Sequence, residues 1–207
     1  MSFVRLIAAV LLFAACDSAS EDEPAPETVD RRAALKAAQT WMYQLAALDV
    51  PDALETLAAT DYPLLVLEPG NNHLPCVDGS DEGACADPYD AAAMVAALRE
   101  TPDGQRRLLL AYIDIGQAER WRTYWASDWA PPTADGPGQP DFILTEDPDG
   151  WAGNYPVAFW RPEWQALWNG PDGLVAELAR LGFDGVYLDW VEAYDDETVA
   201  AVAQAEG

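Results

Sequence analysis

One run of the chain, GFDGVYLDWVEAY (182–194), combines the apolar character of a strand with acids and aromatic rings. Because side chains alternate between the two faces of a strand, Tyr187 and Asp189 share one face and Trp190 lies on the other. An ionised carboxylate at a wet strand end can act as a nucleophile or as an electrostatic stabiliser. Asp189 is therefore the first candidate catalytic residue, and Glu192, three residues further on, is the second.

The aromatic rings beside these acids indicate what the acids could act on. Sugars present apolar C–H faces with hydroxyl rims, so the rings of Trp190 and Tyr194 next to carboxylates suit a saccharide. The chain has nine tryptophans and eight tyrosines, which fits this interpretation. The alternative is that Asp189 only caps the following helix and that the aromatic residues belong to an ordinary core.

The charge of the chain restricts its partners. It carries 36 acidic against 11 basic residues, a net charge of −25, which would repel phosphates and argues against a nucleic-acid partner. The same charge permits a neutral or cationic ligand. With a single histidine, His73, and no zinc-type cysteine spacing, neither a metal nor another cofactor is expected.

The N-terminal region is predicted to be a targeting segment rather than part of the fold. Residues 1–15 contain an apolar run that is too short to span a bilayer and fits a lipoprotein-type signal peptide. Cys16 is then the predicted lipidation site, followed by an acidic flexible tether over 16–35. The chain is expected to be exported, and either held at the bacterial cell envelope by its lipid or secreted. In that oxidising compartment Cys76 and Cys85 are predicted to form a disulfide.

The elements that must position the acids alternate between strand and helix over residues 36–207. The runs 62–70 and 106–116 each contain a continuous apolar stretch, as in parallel strands buried on both faces, whereas 117–125 is expected to form a short helix. Polar and aromatic side chains recur where strands end, namely at Glu68, Asp114, Trp160 and Asp189. This pattern favours an α/β fold of the (β/α) TIM-barrel type over an open doubly wound sheet, which would carry a glycine-rich phosphate loop.

The domain is too short for a whole barrel of this type. A complete (β/α) barrel needs roughly 250 residues. The residues after the tether supply about four to five βα units, so we expect a partial barrel that is incomplete at its C-terminus.

Four blocks of the chain together resemble glycoside hydrolase family 114, the endo-α-1,4-polygalactosaminidase-like group of secreted barrels. The blocks are WMYQL (41–45), LLAYIDIGQAERWRTYW (109–125), NYPVAFWRPEWQALW (154–168) and GFDGVYLDWVEAY (182–194). The resemblance covers most of residues 41–196. It implies a barrel fold and endo-hydrolysis of an α-1,4-linked galactosaminide polymer, whose free amines an acidic mouth would attract.

The resemblance also suggests roles for individual residues. Asp189 matches the proposed nucleophile, and Glu192 matches the second acid of the same motif. Strand ends and matched blocks together give the candidate substrate-binding residues, which are Tyr43, Glu68, Asp114, Glu119, Arg122, Trp160, Tyr187, Trp190 and Tyr194.

Departures from the family pattern leave a second interpretation open. Asp114 stands where serine is commoner, and Gln117 replaces a glutamate, which bears on the identity of the substrate. The family's acid/base glutamate would fall beyond Gly207, whereas glycoside hydrolysis ordinarily uses two carboxyl groups. The alternative function is therefore a non-catalytic carbohydrate-binding envelope lipoprotein on the same scaffold.

Overall fold

The computed structural model describes residues 9–12, 30–48, 52–70 and 90–206. The predicted lipidation site, Cys16, and both members of the predicted disulfide, Cys76 and Cys85, lie outside these residues, so both modifications stay predictions. The described strands are β1 (Ala9–Leu12), β2 (Met42–Gln44), β3 (Leu64–Leu67), β4 (Leu108–Asp114), β5 (Gln117–Glu119), β6 (Asn154–Pro156) and β7 (Gly185–Asp189). The described helices are α1 (Arg31–Ala37), α2 (Ala53–Ala58), α3 (Ala91–Ala97), α4 (Pro162–Trp168), α5 (Leu174–Arg180) and α6 (Glu197–Glu206), with a 3₁₀ turn at Ala193–Asp195.

Four strands pair in parallel in the order β2, β3, β4, β7, and helices lie between them in the chain. Strand β3 is wholly apolar and β4 is apolar as far as its last residue, Asp114. Both are buried along their whole length, as expected for parallel strands covered on both faces. The predicted α/β class is therefore confirmed as a mixed fold with a four-stranded parallel sheet, which fits a partial barrel. In the register of β4 and β7, Tyr112 lies beside Tyr187 and Asp114 beside Asp189.

The two faces of this sheet differ in what covers them. One face, which we call the outer face, packs against the helices that follow the strands and belongs to the larger core cluster. The strand residues on this face are Leu65, Leu67, Leu109, Ala111, Val186 and Leu188. The inner face carries a smaller cluster packed against α1, made of Leu64, Val66, Leu108, Leu110, Tyr112 and Tyr187. Tyr187 and Leu188 thus lie on opposite faces, as strand alternation predicts.

The helix predicted over residues 117–125 is wrong, because residues 117–119 form β5, which pairs antiparallel with β6 in a separate two-stranded sheet. The turn before β5 is held by Asp114, whose Oδ1 accepts hydrogen bonds from the N–H groups of Gly116 and Gln117. Gly116 is required there, since a Cβ atom would lie 2.4 Å from the carbonyl oxygen of Trp190.

The N-terminal ends of the strands are fastened by one buried acid. The carboxylate of Asp184, just before β7, forms ion pairs with three arginines. The distances are 3.2 Å to Arg31 Nε, 2.6 Å to Arg99 Nη1 and 2.7 Å to Arg106 Nη2. The backbone N–H of Leu109 donates to the same carboxylate at 2.9 Å. Burial opposes ionisation, but the hydrogen bonds from Arg106 and Leu109 and the charge of Arg99 hold the pKa of Asp184 below its ordinary value. The ion cluster ties α1 and the segment between α3 and β4 to the sheet.

The N-terminal region contributes two described elements. The helix α1 begins at Arg31, with Asp30 as its cap, so the last residues of the predicted tether (16–35) are helical and pack on the inner face through Leu35. The strand β1 (Ala9–Leu12) pairs antiparallel with β7. That pairing concerns the unprocessed chain, and cleavage after residue 15 stays a prediction. Within the described ranges, no helix combines the length and apolar character needed to cross a bilayer.

Candidate functional site

Asp189 ends β7 on the inner face and is half-buried. The hydroxyl of Tyr112 donates a 2.7 Å hydrogen bond to its Oδ2, whereas its Oδ1 accepts no hydrogen bond from the described part of the chain. Burial, followed by the negative charges of Asp114, Glu119 and Asp189, raises the pKa of Tyr112 well above its ordinary value. Tyr112 therefore stays protonated and acts as a donor to a carboxylate whose other oxygen remains available.

Asp114 lies beside Asp189 in the sheet, but it is almost completely buried. Its Oδ1 is held by the N–H groups of Gly116 at 3.1 Å and Gln117 at 2.9 Å. Burial raises its pKa well above the ordinary value, and the charges of Glu119 and Asp189 raise it further. Asp114, predicted to bind substrate, therefore has the observed role of supporting the turn into β5.

Arg122 joins two predicted site residues into one buried cluster. Its guanidinium donates to both carboxylate oxygens of Glu68, at 3.1 Å in the bond from Nη2, and its Nε lies 2.6 Å from Oε2 of Glu119. Burial lowers the pKa of Arg122, but the charges of Glu119 and Glu68 outweigh it and raise that pKa above the ordinary value. The guanidinium also lies 5.9 Å from the ring centre of Tyr112. The cluster thus supports the residue that holds Asp189.

Several aromatic rings extend from Asp189 across the inner face of the sheet. We call Trp41, Tyr43, Tyr112 and Tyr187 the aromatic row. Tyr43 contacts Tyr112 and Tyr187 edge-on with ring centres 6.0 and 5.4 Å apart, and Trp41 stacks on Tyr187 at 6.2 Å. Trp41 is 51% exposed and Tyr43 39% exposed, so the row offers ring surface to a ligand. After burial, the charge of Asp189 is the main influence raising the pKa of Tyr43, which links the row to the acid.

Glu192, the second candidate acid, follows the end of β7 by three residues and is half-buried. Burial, then the charges of Asp189 and Glu192, raises the pKa of Tyr187, so both acids lie within electrostatic reach of its hydroxyl. Oε2 of Glu192 is buried without a hydrogen-bond partner among the described residues. A buried acceptor without a donor costs stability, which marks this acid as one that the fold alone does not explain.

Trp190 and Tyr194 do not join the aromatic row. Trp190 has a positive φ of 53°, and its ring packs against the backbone of Gly116. Both Trp190 and Tyr194 line a cavity together with Leu188, which belongs to the outer face. The structure therefore separates these two predicted platforms from Asp189.

Trp160 is used to dock the C-terminal helix. Its indole N–H donates to Oε2 of Glu206 at 2.8 Å, and Arg161 Nη2 holds Oε1 of the same glutamate at 2.6 Å. The N–H of Trp160 is thus already partnered within the chain, which leaves only its ring for contact with a ligand.

Sequence reasoning missed two contributors to the site, Tyr112 and Trp41. Tyr112 could have been found, because it precedes Asp114 by two residues on a strand and so shares its face. Trp41 was quoted only as part of a matched block, and its stacking on Tyr187 depends on pairings across the whole sheet.

The described arrangement suits acid-dependent chemistry on a ring-shaped ligand. It combines a carboxylate with one available oxygen, a second acid with a buried unpartnered oxygen, and exposed aromatic faces. Among the described residues no group of three histidine, cysteine or acidic side chains could hold a metal ion.

Comparison with known proteins identifies relatives of the chain. It is 34% identical over 218 residues to an uncharacterized protein of Deinococcus radiodurans, an alignment that covers 97% of this chain and 60% of that protein. Uncharacterized proteins of Methanocaldococcus jannaschii and Thermotoga maritima are 28% and 29% identical, and in each case 75% of this chain aligns, with 36% and 39% of the relative. The chain thus spans about two fifths to three fifths of the length of these curated relatives. No solved structure matches it significantly.

The family assignment rests on a match to a family model. Residues 23–206 match the model of glycoside-hydrolase family GH114, which takes in nearly the whole chain and all four blocks that carried the resemblance. The chain belongs to glycoside hydrolase family GH114.

Proposed function

We propose that the chain is an endo-acting glycoside hydrolase, which cleaves internal glycosidic bonds of a polysaccharide, and that Asp189 is the essential carboxylate. The observation that carries this proposal is the state of Asp189, which is half-buried, fixed through one oxygen by Tyr112 and provided with a second, available oxygen. Membership of GH114 supports a glycosidase with a carbohydrate substrate. The four parallel strands are proposed to be consecutive strands of a (β/α) barrel, because active sites in such barrels form at the C-terminal ends of strands, where Asp189 lies.

The proposed reaction uses Asp189 and Glu192 in different roles. The Asp189 carboxylate attacks the anomeric carbon as the bond to the leaving sugar breaks, and a protonated Glu192 gives its proton to the leaving oxygen. Water then attacks the glycosyl ester, Glu192 takes the proton of that water, and Asp189 is released. This choice of acid is supported by the position of Glu192 three residues after Asp189 and by its electrostatic influence on Tyr187, which Asp189 also influences.

The proposed substrate is an α-1,4-linked galactosamine polymer carrying free amines. Cationic amines would be attracted to a chain of net charge −25 and to the acids Asp189 and Glu192. The exposed rings of Trp41 and Tyr43 provide faces for the apolar sides of the sugar units. We further propose that the protein is exported and tethered to the cell envelope through a lipid on Cys16.

A second candidate function is saccharide binding without cleavage. It is favoured by the aromatic row, whose exposed rings could bind a sugar without a second carboxyl group. Here too the ligand would be a polysaccharide, and Asp189 and Glu192 would act only as hydrogen-bond acceptors.

One experiment separates the two functions. The full chain is incubated with α-1,4-galactosamine oligosaccharides, and new reducing ends are counted for the wild type, Asp189→Asn and Glu192→Gln. Hydrolysis predicts turnover by the wild type and loss of at least about 1,000-fold in Asp189→Asn, because the nucleophile is removed. Asp128→Asn, an exposed surface change, is the matched control and should turn over normally. Saccharide affinity without any reducing ends from the wild type would establish the binding function, and full turnover by Asp189→Asn would remove Asp189 from the mechanism.

A further inference from the structure

A cavity of about 490 Å³ lies on the opposite side of β7 from Asp189. Five aromatic side chains line it, from the segment after β6, from α4 and from the segment after β7; they are Phe159, Trp164, Trp168, Trp190 and Tyr194. Its volume falls within the range usual for small-ligand pockets, roughly 300 to 1,000 Å³. None of the aromatic row lines it, so the cavity is distinct from the surface around Asp189.

The backbone at the end of β7 directs Trp190 toward this cavity. Trp190 adopts the left-handed conformation with φ of 53°, which costs about 1 to 3 kcal/mol for a residue with a side chain. The packing of Trp190 against Gly116 leaves no room for a Cβ atom at that glycine and helps to hold the conformation. The strand that presents Asp189 to the inner face thus presents a tryptophan ring to the cavity one residue later.

Polar groups lie mainly at the open side of the cavity. The N–H of Trp164 donates to the carbonyl of Ile115 at 3.0 Å, so it already has a partner within the chain. The exposed side-chain amide of Asn169 makes no hydrogen bond within the described part of the chain. This amide can therefore both donate to and accept from a ligand at the opening.

We propose that this cavity is a second saccharide-binding groove, which takes one sugar unit of the polysaccharide at a distance from the bond that is cleaved. Its ring faces suit the apolar C–H side of a pyranose, while the Asn169 amide suits a ring hydroxyl. The identity of the sugar rests on the proposed function, whereas the groove itself rests on the cavity, its aromatic walls and the Trp190 backbone. Tyr194, 55% exposed at the edge, is the ring most accessible to a ligand.

The test uses the full chain carrying Asp189→Asn, so that the ligand survives, and an α-1,4-galactosamine hexasaccharide as the probe. Binding is followed by calorimetry and by tryptophan fluorescence. Tyr194→Ala should weaken hexasaccharide binding about two- to tenfold, because it removes one stacking face worth about 0.5 to 1.5 kcal/mol. Asn169→Ala should weaken it several-fold, and Tyr194→Phe, which keeps the ring, should bind as the parent does. Both Tyr194 and Asn169 are exposed, so the fold should be retained, as a melting curve checks.

Two comparisons make the outcome decisive. Tyr43→Ala, on the aromatic row, should weaken the hexasaccharide independently, so that the combined loss in Tyr43→Ala/Tyr194→Ala is the product of the two single losses. Unchanged affinity in both Tyr194→Ala and Asn169→Ala would overturn the groove. In protein that keeps Asp189, the formation of reducing ends from the hexasaccharide tests the proposed hydrolysis separately. Loss of the groove proposal would therefore leave the hydrolysis proposal standing, and loss of the hydrolysis proposal would leave the groove proposal standing.

Discussion

The hydroxyl of Tyr112 on β4 donates a 2.7 Å hydrogen bond to Oδ2 of Asp189 on the neighbouring strand β7. The two residues are not directly opposite each other, since Tyr112 pairs with Tyr187 and Asp189 pairs with Asp114. The bond therefore runs diagonally between adjacent strands, and it restricts the rotamer of Asp189. It also occupies only one of the two carboxylate oxygens.

Removal of this hydroxyl should reduce catalysis while sparing the fold. A hydrogen bond to a charged group contributes about 1.5 to 3 kcal/mol, so Tyr112→Phe should lower kcat about 10- to 100-fold. KM should change little, because the ring that contacts Tyr43 is kept. Steady-state kinetics on the proposed oligosaccharide measures both constants. An unaltered kcat would show that the orientation of Asp189 does not depend on Tyr112.

The Arg122 cluster should prove essential to stability. Arg122→Met would leave Glu68 and Glu119 as buried carboxylates without their cation, at a cost of about 3 to 5 kcal/mol in the free energy of unfolding. The triple variant Glu68→Gln/Glu119→Gln/Arg122→Met should recover part of that loss, because no charge is then left unpaired. Urea denaturation followed by circular dichroism gives both values. Arg32→Met, at an exposed position of α1, is the control and should unfold as the wild type does.

Asp114 should cost stability at neutral pH. Its pKa is raised in the folded state by burial and by Glu119 and Asp189, so its contribution is fully favourable below the unfolded pKa of about 3.9 and declines as pH rises toward the folded value. Asp114→Asn keeps the acceptor for the N–H groups of Gly116 and Gln117 but removes the charge. The variant should therefore be more stable than the wild type near pH 7, by about 1 kcal/mol or more, with a smaller difference near pH 4. Melting temperatures measured from pH 4 to 8 test this, and a gain independent of pH would contradict it.

Asp184 should show the opposite dependence on pH. Its folded pKa is lowered, so its contribution to stability is present above the unfolded value of about 3.9 and is lost as pH falls below that toward the folded pKa. Asp184→Asn should reduce the free energy of unfolding at pH 7 by about 3 kcal/mol, since three arginines lose their shared partner. Chemical denaturation at pH 7, 5 and 3 should show the gap between variant and wild type closing at the lowest pH. A constant gap would mean that the cluster stabilises by packing alone.

Much of the sheet could be predicted because its strands are locally encoded. Strand β3 is an uninterrupted apolar run, β4 is apolar as far as Asp114, and β7 ends at the acid that the alternation of side chains places on the inner face. The segment 117–125 was misjudged because its partner, β6, begins at residue 154, and pairing over such a separation leaves no local periodicity. The bulky aromatic residues in that segment favoured neither state.

Only part of the site could be predicted from the sequence, for a similar reason. Asp189 and Glu192 carry a local signature, whereas the bond between Arg122 and Glu68 joins residues 54 positions apart and requires the assembled sheet. The left-handed backbone of Trp190 has no sequence signal, because that conformation is disfavoured for every residue with a bulky side chain. Trp190 and Tyr194 were predicted to bind substrate together with Asp189, although strand alternation places Trp190 on the opposite face, and the structure shows both of them lining the cavity on that side.

The ion pair between Arg31 and Asp184 fixes the end of the sheet at which α1 begins. Asp184 immediately precedes β7 and Asp189 ends it, so the two acids lie a strand length apart, about 16 Å. The polypeptide upstream of α1 therefore reaches the sheet at the far end from Asp189. If Cys16 is lipidated as proposed, the segment that leads from the lipid would join the domain at the end of the sheet opposite Asp189. Asp189 would then face away from the membrane, toward polymers in the surrounding medium.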